Sequence, residues 1–126
     1  MRIVPLLDDY KKFLRERGKS ENTIKTYSGH VNEYYRWYMD TFGEAPTLLY
    51  HTNILDFRSY LQNIKKLKFK SIDTKLSSLT SFNEFLVQIG VQKDLVITAE
   101  DRLKFQQEIA SPAEIEKKDV EAFLQK

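Results

Sequence analysis

The chain has 126 residues, 41% hydrophobic and 30% charged, enough for one domain with its own core and outside the composition of disordered chains. It contains no cysteine, which excludes disulfides, thiolate nucleophiles, Cys-based zinc sites and iron–sulfur clusters. The two histidines, His30 and His51, are too few for a histidine-rich metal site, no cofactor is expected, and the net charge of +2 as a total names no partner.

The distribution of that charge is more informative. Lys11 to Lys25 holds six Lys/Arg against two Glu, a net +4, and Arg58 to Lys75 holds six against one Asp, a net +5. Glu100 to Lys126 holds five bases against seven acids, a net −2. Local rather than total charge decides whether a polyanion is attracted. No apolar run approaches the ~20 residues of a membrane helix. The opening residues Met1 to Leu7 carry no signal-peptide pattern, so a cytoplasmic location is expected.

In chain order, Leu6, Leu7, Tyr10, Phe13 and Leu14 fall at helical spacing within Val4 to Arg17, and Gly18 is the stop. Ser20 is an N-cap and Glu21 a first-turn acid for a second helix reaching about Thr41. Ile24, Tyr27, Val31, Tyr34 or Tyr35, and Tyr38 form its apolar stripe, and Gly43 and Pro46 end it. Thr52 or Asn53 is expected to cap a third helix carrying Ile54, Phe57, Tyr60, Leu61 and Ile64. A basic connector, Lys65 to Lys70, leads to Ser71, which is expected to open a fourth helix with Ile72, Leu76, Leu79, Phe82, Leu86 and Ile89 on one stripe, closed by Gly90. Beyond it, Ala99 to Ile109 and Asp119 to Leu124 are further helix candidates. No period-2 run stands out, so the expectation is an all-α bundle of four to five helices. Residues 1–90 form the helical domain and 91–126 a connector with the start of a further helix.

No Gly-rich phosphate loop, paired histidines with a carboxylate, or Gly-x-Ser-x-Gly elbow is present. The run Tyr34, Tyr35, Trp37, Tyr38 has the spacing of core and core edge. Two helix starts carry more. Lys68 and Lys70 precede Ser71, Thr74, Lys75, Ser78 and Ser81, spaced along one side of the fourth helix. Short hydroxyl side chains let a helix come close to a groove and donate to phosphates or base edges. Lys19, Ser20, Asn22, Thr23, Lys25 and Thr26 repeat this at the second helix, where free backbone N–H groups beside a lysine suit a phosphate.

The ordered set Phe13-Leu14, Arg17-Gly18, Ser20, Thr23-Ile24 and Tyr27, then Asp56-Phe57 and Tyr60-Leu61, then Lys75 to Phe82 with Phe85-Leu86, resembles the N-terminal, SAM-like core-binding domain of tyrosine recombinases and phage integrases. The resemblance covers Leu6 to Gly90, and Glu116 to Leu124 looks like the lead into that family's catalytic domain. It implies a four- to five-helix SAM-like bundle that grips double-stranded DNA for site-specific recombination or DNA integration. It also implies catalysis in a C-terminal domain not present in this chain, and a non-catalytic fragment, nucleoid-associated when bound. Carried over by position, Ser20, Thr23, Lys25, Lys70, Ser71, Thr74, Lys75 and Ser78 are the implied DNA contacts. The family's H-x-x-R and L-G-H signatures are missing, since His30 is followed by Val31-Asn32-Glu33 and His51 by Thr52-Asn53-Ile54. None of the seven tyrosines is therefore expected to be the nucleophile. The fourth helix carries Lys75 and hydroxyls where the family tends to place arginines, which favours phosphate contact over bidentate reading of guanine. The parent is expected to form a homo-tetramer on DNA and the isolated fragment to be a monomer. The competing expectation is a helical protein–protein interaction module using the Tyr34 to Tyr38 face.

Overall fold

A computed structural model describes residues 3–97 and Arg102, and among these it contains four helices and no strand. Helix α1 spans Ile3–Glu16, α2 Glu21–Phe42, α3 His51–Asn63 and α4 Phe69–Gln88. The expected all-α bundle is what forms. None of these helices is long and apolar enough to cross a membrane.

Each boundary has a local cause. Gly18 adopts φ 78°, a left-handed conformation that turns the chain sharply between α1 and α2. The Ser20 side chain accepts from Thr23 N–H at 3.1 Å, satisfying one of the free donors at the start of α2. Gly43, also at φ 78°, ends α2 with its N–H on Met39 O at 2.8 Å. The other two starts differ from expectation. Helix α3 begins after Tyr50 rather than after Thr52 or Asn53, and Tyr50 makes no side-chain cap. Helix α4 begins after Lys68, again without a side-chain cap, so Ser71 lies inside the first turn instead of opening it. Phe69, in that turn, packs against the core, and apolar anchoring there fixes the start that no capping residue marks.

Helix α4 is the centre of the bundle and packs against α1, α2 and α3. It buries eight residues, including Ser78 and Asn83 as well as the apolar stripe. Tyr10 of α1 and Tyr35 of α2 meet Phe82 edge-on, at ring centroid distances of 5.1 and 5.8 Å. Phe57 of α3 fits against Tyr34 and Trp37 of α2, each at 5.2 Å. Tyr34 and Tyr35 are 0% and 3% exposed, and Trp37 and Tyr38 pack on the same core. Tyr34 and Tyr35 are therefore interior, while Trp37 and Tyr38 form the half-buried edge of the core, so only part of the face of the competing expectation reaches the surface.

The packed unit continues past Gly90, where a connector was expected. Asn83 and Gln92 are both buried and act as clasps. Asn83 Nδ2 donates to Asp94 O at 3.2 Å and its Oδ1 accepts from Val96 N–H at 2.6 Å. Gln92 Oε1 accepts from Leu49 N–H at 3.1 Å and its Nε2 donates to Leu49 O at 2.7 Å. They hold residues 91–97 on the bundle and bring Ile97, 2% exposed, into the core. The helix candidates Ala99 to Ile109 and Asp119 to Leu124, and the rest of the expected connector apart from Arg102, lie outside the described residues.

Candidate nucleic-acid interface

Helices α2 and α4 run antiparallel. His30 Nδ1 meets Ser78 Oγ at 2.7 Å, Glu33 pairs with Lys75, and Arg17, just before α2, reaches Gln88 at 3.1 Å near the end of α4. The two basic helix starts accordingly sit at opposite ends of the α2–α4 face. From Lys70 to Glu84, which pairs with Arg17, is 14 residues of helix. At 1.5 Å per residue that is ~21 Å, about six phosphates along one strand at 3.4 Å each.

At the α2 end, Lys19, Ser20, Asn22, Lys25 and Thr26 are exposed and Thr23 is half-buried. Ser20 Oγ also donates to Thr23 Oγ1 at 2.9 Å, so this pair completes the cap. Glu21, the acid of the first turn, is forked by Arg15 at 3.0 and 3.2 Å. That bond and charge hold its carboxyl below the usual range. At the α4 end, Lys66, Lys68 and Lys70 are exposed, and Lys66 sits at φ 56° in the turn that presents them. Lys19, Lys25, Lys66, Lys68 and Lys70 make no ion pair with any described residue.

Between the two ends the hydroxyl-bearing side of α4 differs from the sequence expectation. Ser71 and Thr74 are exposed, Thr74 donating to Lys70 O at 2.9 Å. Ser78 is 0% exposed and donates to Thr74 O at 3.2 Å. It cannot touch a duplex, because α2 covers it and a serine inside a helix satisfies itself on the carbonyl four residues back. Ser81 is half-buried and accepts from the Tyr10 hydroxyl at 2.9 Å. Lys75 is turned inward onto Glu33, with side-chain exposures of 18% and 26%. It is a partner within the bundle rather than a free cation. Ser77, Thr80 and Tyr27, which polarity patterns did not single out, line a groove of about 250 Å³ with Arg17, Lys19, Ser81 and Glu84.

Electrostatics around the middle of the face are tightly balanced. Burial pushes the Glu33 carboxyl up, but the hydrogen bonds and charges of Lys75 and Lys65 outweigh it and leave it below the usual range. Burial lowers the His30 imidazole, Lys75 lowers it further, and Glu33 opposes them in part. The folded chain thus prefers neutral His30 and binds fewer protons than the unfolded chain once pH falls through the ordinary value of 6.5. The Glu33 contribution is present above the ordinary 4.5 and is lost as pH falls through its lower folded value. Both groups make the fold acid-labile. The melting temperature is expected to fall as pH drops through the ordinary histidine value of 6.5, and His30→Gln to flatten that part of the profile. A profile for His30→Gln identical to the wild type would remove His30 from the response.

The family described as phage integrase, N-terminal SAM-like domain, matches residues 6–93. A protein named TnP I resolvase, from Bacillus thuringiensis, is 43% identical over 116 residues, covering 92% of this chain and 41% of its own length. The chain therefore spans about two fifths of the curated relative it matches. No solved structure matches it.

Proposed function

Because the chain belongs to the family of phage integrase N-terminal SAM-like domains, we propose that it binds double-stranded DNA as the N-terminal domain of a tyrosine recombinase or integrase. It serves site-specific recombination or DNA integration in the cytoplasm, bound at the nucleoid. The observation that carries this reading is the charge arrangement at the two ends of the α2–α4 face. Five exposed lysines there, Lys19, Lys25, Lys66, Lys68 and Lys70, have no acidic partner among the described residues. The nearby acids are already paired, Glu21 with Arg15 and Glu33 with Lys65 and Lys75. A surface with unpaired cations at both ends of one helix pair, and with Ser71, Thr74, Asn22 and Thr26 beside them, suits phosphate contact with modest sequence preference.

Strand cleavage belongs in this reading to a catalytic domain outside the chain, in a parent that forms a tetramer on DNA, while the isolated chain is a non-catalytic monomer. Burial pushes the hydroxyls of Tyr10, Tyr34 and Tyr35 up, the reverse of what an activated nucleophile needs. With five phosphate contacts, log K for a duplex is expected to fall with log salt at a slope of about −4.5, taking −0.9 per contact. Fluorescence anisotropy on a labelled duplex across a salt series measures it. Absent binding at low salt, or a slope near zero, would overturn the reading.

A further inference from the structure

Ile97 is buried in the core, and Arg102, five residues on, lies against α4. Arg102 Nε and Nη2 donate to Asp73 Oδ1 and Oδ2, both at 2.9 Å. This is the parallel two-bond fork of an arginine–carboxylate pair. The two side chains keep 26% and 29% exposure. A half-exposed pair of this kind adds little to stability, so its geometry calls for another account. Arg102 also lines the groove that holds Lys19, Tyr27, Ser77, Thr80 and Ser81. Its Nη1 makes no bond to any described residue. One edge of the guanidinium is thus fixed by a carboxylate on α4, and the planar cation sits in the hydroxyl-lined groove between the two basic helix starts.

We propose that Arg102 is a further phosphate-contacting residue of this face, positioned by Asp73. The inference rests on the DNA-binding reading above and extends it to a residue beyond the helical bundle. A guanidinium held on one edge has already lost most of its rotamer freedom, so less is lost when the other edge meets an anion. Five donors in a fixed fork allow a carboxylate and a phosphate to be held at once. The hydroxyls of Ser77 and Ser81 stand on the same groove wall, where they can donate to the same backbone.

The test must separate a phosphate contact from a mere tie between Arg102 and α4. Arg102→Gln alone does not, because it leaves Asp73 as an unpaired negative charge facing DNA. The double variant Asp73→Asn/Arg102→Gln keeps the local net charge at zero. Anisotropy on a duplex is measured for the wild type and the double variant over the same salt series, with circular dichroism to confirm the fold. A phosphate contact by Arg102 predicts binding weaker by up to about eightfold at 0.1 M salt and a slope shallower by up to about 0.9, the paired Asp73 charge making both smaller than for a free lysine. Arg102→Lys, which keeps the charge and loses the fork, should recover the slope and only part of the affinity. Wild-type affinity and slope in the double variant overturn the proposal and leave DNA binding standing, as does an affinity loss with the slope unchanged. A wild type that binds no duplex at low salt overturns both readings.

Discussion

Replacing Lys68 and Lys70 together by glutamate is expected to weaken duplex binding by at least about a hundredfold at 0.1 M salt, with the fold intact. A contact that releases one counterion scales as salt concentration to the power −0.9, which at 0.1 M is about eightfold per contact. Losing two contacts therefore costs roughly sixtyfold, and two carboxylates now facing phosphates add repulsion. Neither lysine has a partner in the bundle to lose. Both stand at the start of α4, where exposed glutamates suit the positive end of the helix dipole. Stability should therefore hold or rise while binding falls, a combination that a general disruption of the fold cannot produce. Lys75→Glu makes the contrast. It sets a second carboxylate against Glu33 on the half-buried α2–α4 contact, so its effect is a melting temperature lower by several degrees. If Lys68→Glu/Lys70→Glu binds as the wild type does, the start of α4 is not part of the interface. If Lys75→Glu weakens binding with no loss of stability, the inward pairing of Lys75 does not hold in solution.

That contrast also marks where the sequence was legible. Helical periodicity located all four helices, because each buries a stripe of large apolar residues, and glycines at left-handed φ closed α1 and α2 where expected. The starts of α3 and α4 differ from expectation because neither Tyr50 nor Lys68 makes a side-chain cap, and at α4 Phe69 packs against the core in the first turn instead. Polarity misjudged one side of α4 for a related reason. A helix at the centre of a bundle buries more than one stripe, and Ser78 accepts burial cheaply by bonding backward to Thr74 O. Lys75 reads as an exposed cation until Glu33, 42 residues earlier, is placed beside it. The groove residues Ser77, Thr80 and Arg102 become neighbours of Lys19 only through the antiparallel packing of α2 and α4 and the pairing of Arg102 with Asp73. What periodicity cannot carry is pairing across large sequence separations.

The largest effect on stability is expected from Gln92→Leu. The Gln92 amide supplies both the acceptor for Leu49 N–H and the donor for Leu49 O, and Leu49 is 1% exposed in the loop between α2 and α3. Leucine fills a similar volume and offers neither group. Two buried backbone groups left unpaired at ~1–3 kcal/mol each give a loss of about 3 kcal/mol. On a domain of this size that lowers the melting temperature by roughly 10–20 °C. Gln92→Glu separates the hydrogen bonds from side-chain shape. Ionised, a carboxylate can accept from Leu49 N–H but repels Leu49 O; protonated, it can accept and donate, as the amide does. Its folded pKa is therefore raised, and the gap in stability between Gln92→Glu and the wild type should narrow as pH falls. Measuring the gap at each pH removes the acid lability that His30 and Glu33 give to both proteins. A constant gap would show that Gln92 acts by packing alone. The clasp has a consequence at a distance, because Gln92 and Asn83 hold the segment that ends at Ile97, and Arg102 reaches Asp73 from there. Gln92→Leu, assayed well below its own melting temperature, should therefore also reduce the salt slope of DNA binding toward that of Asp73→Asn/Arg102→Gln. An unchanged slope in Gln92→Leu would mean that the Arg102–Asp73 fork holds without the clasp.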